Sequence, residues 1–366
     1  MTDGSATTTD TEDAVLRAEN LSVSFPIPRG ALRRTGRLTA VSEVSLALAP
    51  GEVLGLVGES GSGKSTTGRA LLRLVEPDSG TILLRGTDFT ALRGDRLRRA
   101  RRHVQMVFQD PYSSLDPSMV VAESLGEPLH VHERLTRAQR HERVRELLRL
   151  VGLAPQHLER YPYEFSGGQR QRLAIARALA TGPDVLVCDE AVSALDVSTQ
   201  NQIINLLERL RTDLGTAYLF ISHDLSVLRR LAQRVAVMYL GGIVEQGPAE
   251  RVYTAPAHPY TRALLSAVPV PDPAHRDRHR TIPAGDPPDP AAPPGGCPFH
   301  PRCAFAMDVC RTERPAETPV LGGGTVRCHL HTSGPGLGGN PLPDPDAALD
   351  PTGPPGAESP RHDPGS

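Results

Sequence analysis

Short apolar runs alternate with longer amphipathic stretches through most of the chain, and the alternation sets in abruptly at Leu16. LRAENLSVSF and VSEVSLAL read as strands, separated by an Arg- and Gly-containing excursion, PIPRGALRRTGRLTA, and followed by a turn at Pro50-Gly51. EVLGLVG is a buried strand, KSTTGRALLRLV a helix and TILLRG a strand. VRELLRLVGL and QRLAIARALA read as helices, VLVCDE as a strand and NQIINLLERLRTDLG as a helix. AYLFISHD then reads as a strand and LSVLRRLAQR as a helix. Strands and helices in this alternation predict an α/β fold, a parallel sheet sandwiched by helices. RVAVMYLGGIVEQG predicts a closing hairpin with Gly241-Gly242 at its turn.

The pattern stops at both ends. Residues 1–14 are polar and acidic and are expected to be disordered. Beyond Val268 the chain turns Pro-rich, which predicts a stiff linker or an extended wrap, and four cysteines follow between Cys297 and Cys328. Residues 331–366 are Gly- and Pro-rich and are expected to form a disordered tail. The periodic part, residues 15–257, is long enough for one large domain, and 258–330 for a small appendage.

Composition narrows the function classes. Forty basic residues against 42 acidic ones leave a formal charge of −2, so the basic excess of a nucleic-acid binder is missing. No stretch approaches the ~18 to 20 consecutive apolar residues that span a bilayer, and the N-terminus has no basic-then-apolar leader pattern. The expectation is a chain that stays in the cytosol and reaches a membrane only through a partner. Five cysteines in that compartment point to metal binding or burial rather than disulfides.

The strand EVLGLVG runs into Gly58-Glu59-Ser60-Gly61-Ser62-Gly63-Lys64-Ser65-Thr66, where a helix begins. This is G-x-x-x-x-G-K-[ST] in its strand–loop–helix context. Glycines let backbone N–H groups face inward around phosphates, and the helix N-terminus adds its positive dipole end. Lys64 is expected to reach the β- and γ-phosphates of a nucleoside triphosphate, and Ser65 to offer its hydroxyl to Mg²⁺. A second apolar strand ends in Asp189-Glu190. Asp189 is placed to hold Mg²⁺, and Glu190 to polarise the attacking water as a general base.

Ser166-Gly167-Gly168-Gln169-Arg170 precedes the helix QRLAIARALA and supplies a second anion site at a helix N-terminus. Together with the phosphate loop, it resembles the signature sequence of ABC ATPases. Ser193-Ala194-Leu195-Asp196 resembles the D-loop of that family, His223 its switch histidine and Gln109, in VQMVFQDP, its Q-loop glutamine, which reaches Mg²⁺ and the water. Phe25 matches the aromatic that stacks on adenine. The resemblance implies a core sheet like that of RecA, an antiparallel β-subdomain and a helical signature subdomain. It also implies a head-to-tail dimer holding two ATP molecules, each between the loop of one subunit and the signature of the other.

Three wordings resemble the oligopeptide, dipeptide and nickel importers in particular. They are FSGGQRQR with CDEAVSALDVSTQ, the run His258-Pro259-Tyr260-Thr261-Arg262-Ala263-Leu264-Leu265, and the insertion between Phe25 and Val41, which is similar to the second of the two ATPases of such importers. The resemblance implies that 258–330 is the C-terminal extension of that family. It implies a second, non-identical ATPase subunit, two transmembrane permease subunits and an extracytoplasmic solute-binding protein. The chain would then sit peripherally on the cytoplasmic face of the cell membrane. The segment PYSSLDPSMVVAESLGEPL is expected to contact a permease helix. Other readings are an exporter subunit or a soluble ABC ATPase acting on ribosomes or DNA. The latter usually has two ATPase domains or a long coiled-coil insertion, and neither occurs here.

Cys297, Cys303, Cys310 and Cys328 are separated by five, six and seventeen residues. Four thiols grouped in a small Pro-rich module point to a metal, because such a module has little core of its own. Zinc sites usually show tighter C-x₂₋₄-C pairs, whereas iron–sulfur clusters take four Cys thiolates at varied spacing. The importer resemblance implies a [4Fe–4S] cluster; zinc, or no metal, stays open. Cys188, inside an apolar strand, is expected to be a buried small residue.

Overall fold

Strand formation follows the apolar runs, and pairing sorts them into two sheets. In the computed structural model the described residues are 13–29, 34–110, 114–267, 285–334, 336–340 and 342. The strands are β1 (Leu16–Arg29), β2 (Arg34–Leu48), β3 (Val53–Val57), β4 (Ser79–Leu84), β5 (Thr87–Asp88), β6 (Val104–Val107), β7 (Val185–Asp189), β8 (Ala217–Ser222), β9 (Arg234–Tyr239), β10 (Gly242–Pro248), β11 (Glu317–Pro319) and β12 (Thr325–Arg327).

The larger sheet runs β11-β12-β10-β9-β3-β8-β7-β6 and is parallel from β9 to β6. Every residue of β3, β7 and β8 is buried, as expected of strands covered on both faces. Side chains alternate between two separate cores. Leu186, Cys188, Tyr218 and Phe220 face one group of helices, while Val185, Val187, Leu219 and Ile221 face a core shared by the helix Lys64–Leu71, which packs on Val187 and Ile221, and the antiparallel sheet β2-β1-β4-β5. Helices Val121–His132, Arg137–Leu150 and Gly167–Leu179 pack on one another as the expected helical subdomain. The parallel order places the loops after β3, β7 and β8 side by side at one edge, where open α/β sheets bind ligands.

Four expectations need correction. The excursion does not break the strand after Phe25: β1 and β2 pair from Leu16↔Leu48 with three register shifts up to Ser24 and then without a break to Arg29↔Arg34, so Phe25 lies within a strand opposite Leu38. The hairpin after β9 turns at Leu240-Gly241 rather than Gly241-Gly242, because Tyr239 pairs with Gly242. Both turn residues have positive φ, 41° and 86°, as a two-residue turn of this twist requires. The expected break between 257 and 258 is bridged, since β12 pairs with β10 and extends the core sheet. The packed extension also passes residue 330, with His331 and Leu342 buried against it. Gly339 N–H donates to His331 Nδ1 and Leu342 N–H to the carbonyl of Pro256, which is what holds this Gly-rich stretch in place. The remainder of the expected tail, 343–366, and residues 1–12 lie outside the described residues.

A buried ion pair fixes the extension to the sheet. Glu245 of β10 is fully buried and pairs with Arg251, and its oxygens also accept the N–H groups of Ala257 (2.9 Å) and His258 (2.8 Å). Removing one member leaves a charge and two amides stranded. Glu245→Ala should therefore lower stability by about 3–5 kcal/mol, read as a fall in the urea midpoint of the full chain.

Candidate active site

The loop between β3 and the helix Lys64–Leu71 is shaped by close backbone approach. A Cβ at Gly58 would lie 2.1 Å from the carbonyl oxygen of Met238, and one at Gly63 2.1 Å from that of Ala40. Gly63 also caps the helix in the left-handed region, at φ 104°. Ser60 and Gly61 are exposed at the loop tip, and Thr66 is half-buried in the first helical turn. Ser62 is buried and its hydroxyl has no hydrogen-bond partner among the described residues, an unsatisfied group inside the cradle that suits a phosphate oxygen.

Lys64 folds back into this loop, its Nζ donating to the carbonyls of Gly58 and Glu59 at 2.8 Å each. Burial holds its ammonium below the usual lysine range, opposed by the pull of Glu190, Asp189 and Glu59. Ser65 Oγ donates to Asp189 Oδ1 at 2.8 Å, joining the loop to the end of β7. Burial pushes the Asp189 carboxyl up, with the Ser65 hydrogen bond and Arg69 acting against it. These two oxygens and the cradle fit Mg²⁺ with a triphosphate, whose positive ion would relieve the carboxylate's desolvation.

Glu190 leaves the strand in the left-handed region, at φ 48°, which turns its side chain away from that of Asp189. Its carboxylate sits between two neighbours: Gln109 Nε2 donates to Oε2 at 2.7 Å, and His223 Nδ1 lies 3.2 Å from Oε1. Gln109 follows β6 and His223 follows β8, so three neighbouring strands converge on one acid. Such a carboxylate can accept a proton from water while the imidazole and amide fix its direction.

Other site residues from the sequence have local structural duties. Ser166 and Gln169 form a reciprocal capping box on the helix Gly167–Leu179. Gly168 abuts Thr199, whose Cγ2 would be 2.4 Å from an added Cβ, and Gly167 faces Leu195. Asp196 caps the helix Val197–Leu214, accepting from Thr199 N–H and Thr199 Oγ1. The hydrogen bonds from Thr199 hold its carboxyl below the usual range. Gly167 and Gly168 thus lie against the D-loop-like turn, at Leu195, and the start of the helix Val197–Leu214, at Thr199. Phe25 is partly exposed, within reach of solvent and of a ligand.

Sequence reasoning missed Arg302 and Tyr260. Arg302 Nη1 donates to both carboxylate oxygens of Glu59, and Glu59 N–H donates to the Tyr260 hydroxyl. The partners lie more than 200 positions apart, and no local pattern joins them.

The four clustered cysteines line one small cavity with His258, Phe299, His300 and His329. All are free thiols, and burial pushes Cys303 up to about 12 and Cys297 and Cys328 upward. Among the described residues no three His, Cys, Asp or Glu side chains stand close enough to form a ready-made metal site. Cys188 is fully buried in β7, as expected.

Among the described residues no helix is long and apolar enough to cross a membrane. Two family models match the chain: "ABC transporter" over residues 41–193 and "Oligopeptide/dipeptide transporter, C-terminal region" over residues 244–310. The chain is 51% identical over 319 residues to the probable peptide ABC transporter ATP-binding protein y4tS of Sinorhizobium fredii, covering 87% of this chain and 90% of that protein. It is 46% identical over 324 residues to the oligopeptide transport ATP-binding protein AppF of Bacillus subtilis, covering 88% and 98%. The dimeric post-hydrolysis structure of the ATP-binding cassette MJ0796, bound to ADP and Pi, matches with a TM-score of 0.57 at 28% identity, over 64% of this chain and 98% of that one. A glycine-shaped phosphate-type loop, a carboxylate between Gln109 and His223, two matching family models and identity of this extent have one common explanation: the chain belongs to the ATP-hydrolysing, ATP-binding subunits of ABC transporters, in the oligopeptide/dipeptide branch.

Proposed function

We propose that the chain energises the import of peptides, working at the cytoplasmic face of the membrane as one half of a head-to-tail ATPase dimer. The observation that carries this reading is the placement of Glu190 between Gln109 and His223, beside the Ser65–Asp189 pair. ATP would lie with its phosphates in Gly58–Thr66 and its adenine against Phe25. Lys64 would exchange the carbonyls of Gly58 and Glu59 for the β- and γ-phosphates. Mg²⁺ would be held by Ser65, Asp189 and Gln109, where it neutralises phosphate charge. Glu190 would take the proton of the attacking water, and His223 would hold the γ-phosphate side.

The γ-phosphate needs donors on its far side, and the capped N-terminus at Ser166, Gly167, Gly168 and Gln169 offers them. In this chain those residues lie against Leu195 and Thr199, which supports the reading that they serve the ATP of a second subunit. Asp196 would sit at that interface. Non-identical partner ATPases fit the hairpin insertion after Phe25. Hydrolysis removes the bridging phosphate, so ATP must favour the closed dimer over the open one.

A groove beside the Q-loop supports docking of one permease subunit on this chain, the partner ATPase serving the other. Leu72, Leu74, Phe108, Val131 and His132 line it, and Leu74 and Val131 expose about half their surface. Phe108 adjoins Gln109, so movement of the glutamine with the γ-phosphate would reach the groove. Peptide cargo is supported by the names of y4tS and AppF. Cargo choice would lie with the permeases and a solute-binding protein, and nickel or another small solute is the alternative.

A second, separate reading is a [4Fe–4S] cluster held by Cys297, Cys303, Cys310 and Cys328, with zinc as the alternative metal; the four thiols line one cavity but, among the described residues, form no ready-made site, so binding would have to draw them together. A role in structure or sensing follows from its position outside the ATP motifs.

Three outcomes are expected. Glu190→Gln should lower ATP turnover of the assembled transporter by about 10²–10⁴-fold while ATP still binds; unchanged turnover would remove Glu190 from the chemistry. Protein purified anaerobically should carry iron and acid-labile sulfide, and colourless, iron-free protein would exclude the cluster. Affinity purification from detergent-solubilised membranes should bring two permeases and a second ABC ATPase, whereas ribosomal or DNA-repair proteins alone would overturn the transport reading.

A further inference from the structure

Three ties converge on Glu59, the second residue of the phosphate loop. Its carbonyl accepts from Lys64, its N–H donates to the Tyr260 hydroxyl, and its carboxylate accepts from Arg302. Two of the three come from beyond residue 257. Arg302 Nη1 reaches the two carboxylate oxygens at 3.1 and 2.9 Å, and the arginine side chain is only 8% exposed against 29% for Glu59. A largely desolvated pair is screened far less than a surface one.

The charge has a physical consequence. Glu59 is an acid in a cradle suited to a triphosphate, so its unneutralised carboxylate would repel the ligand and compete for the Lys64 ammonium. Arg302 offsets that charge through its contact with both carboxylate oxygens. We propose that Arg302 is a positioning residue for nucleotide binding, through which the C-terminal extension sets the affinity of the phosphate loop. This rests on the reading of Gly58–Ser65 as the ATP site.

The turn that carries Arg302 is well anchored. Phe299, just before it, packs edge-on against Tyr239 with ring centroids 5.2 Å apart, and against Tyr260 at 5.4 Å. Tyr239 and Tyr260 themselves meet at 4.6 Å, and both are buried. His300 N–H donates to the carbonyl of Cys297, and Cys303 N–H to that of His300, so the turn also spans two of the cavity cysteines. Any rearrangement of those thiols acts on the same turn that holds Glu59.

The test is equilibrium binding of trinitrophenyl-ATP to the full chain, with KM and kcat for ATP in the assembled transporter. Arg302→Met should weaken binding by about tenfold and raise KM more than it lowers kcat, with Arg302→Lys intermediate. Adding Glu59→Gln to Arg302→Met should restore most of the lost affinity, because the unneutralised acid is then gone. A lost packing contact alone would not be rescued in this way. If Arg302→Met does not fold, Tyr260→Phe, which removes only a hydroxyl, should still weaken binding by about threefold. Wild-type affinity in Arg302→Met, or in Tyr260→Phe where that variant stands in, overturns the proposal, as does a double variant no better than the single. Lys64→Ala should abolish binding; if it binds normally, the phosphate-loop reading itself is at fault, rather than the role of Arg302.

Discussion

The edge of the sheet that is shaped for a triphosphate also carries three carboxylates, those of Glu59, Asp189 and Glu190. Like charges crowded in a partly dry site cost free energy, so each acid must have its own compensation. The structure supplies three different kinds. Glu59 is paired with Arg302, Asp189 with the Ser65 hydroxyl and the nearby cations Lys64 and Arg69, and Glu190 with the amide of Gln109 and the ring of His223. The compensators come from the extension, from the loop and first helix, and from the ends of β6 and β8. Holding anions together at one edge therefore requires most of the chain to be in place.

This arrangement also explains why the extension is not a separable appendage. Its strands β11 and β12 lengthen the core sheet through β10, and Glu245 ties the entry of the extension to that sheet by an ion pair and two backbone amides. The aromatic group Tyr239, Tyr260 and Phe299 then joins the last parallel strand to the turn bearing Arg302. A small Pro- and Gly-rich module gains order by docking on a sheet that is already formed. The same docking carries a cation to the phosphate loop.

The proposed role in a dimer has its own local logic. Ser166 and Asp196 each cap a helix, so the local geometry of the residues that resemble the signature and the D-loop is held by bonds within this chain. The N–H groups of the half-buried Gly167 and Gly168, which the capping box does not use, would lose little entropy on meeting a phosphate. The groove beside Gln109 lies at the seam between the sheet and the helical subdomain, where a shift of one against the other changes its shape.

Much was determined by the sequence alone. The run Gly58–Ser65 after an apolar strand, Asp189-Glu190 at the end of another, and His223 after a third were legible because each motif is local, and strand–loop–helix spacing fixes its geometry. The continuation of the strand past Phe25 is not legible in the sequence because Pro and Gly lower strand propensity, and only pairing with the opposite strand overrides that preference. The packed stretch to Leu342 was misread for the same reason, since its order comes from burial against distant residues. Tertiary structure alone decided that Glu190 stands between Gln109 and His223, that four thiols face one cavity, and that Arg302 meets Glu59. Those contacts join positions tens to hundreds of residues apart, and no periodicity or short-range motif encodes which side chains a folded sheet will bring together.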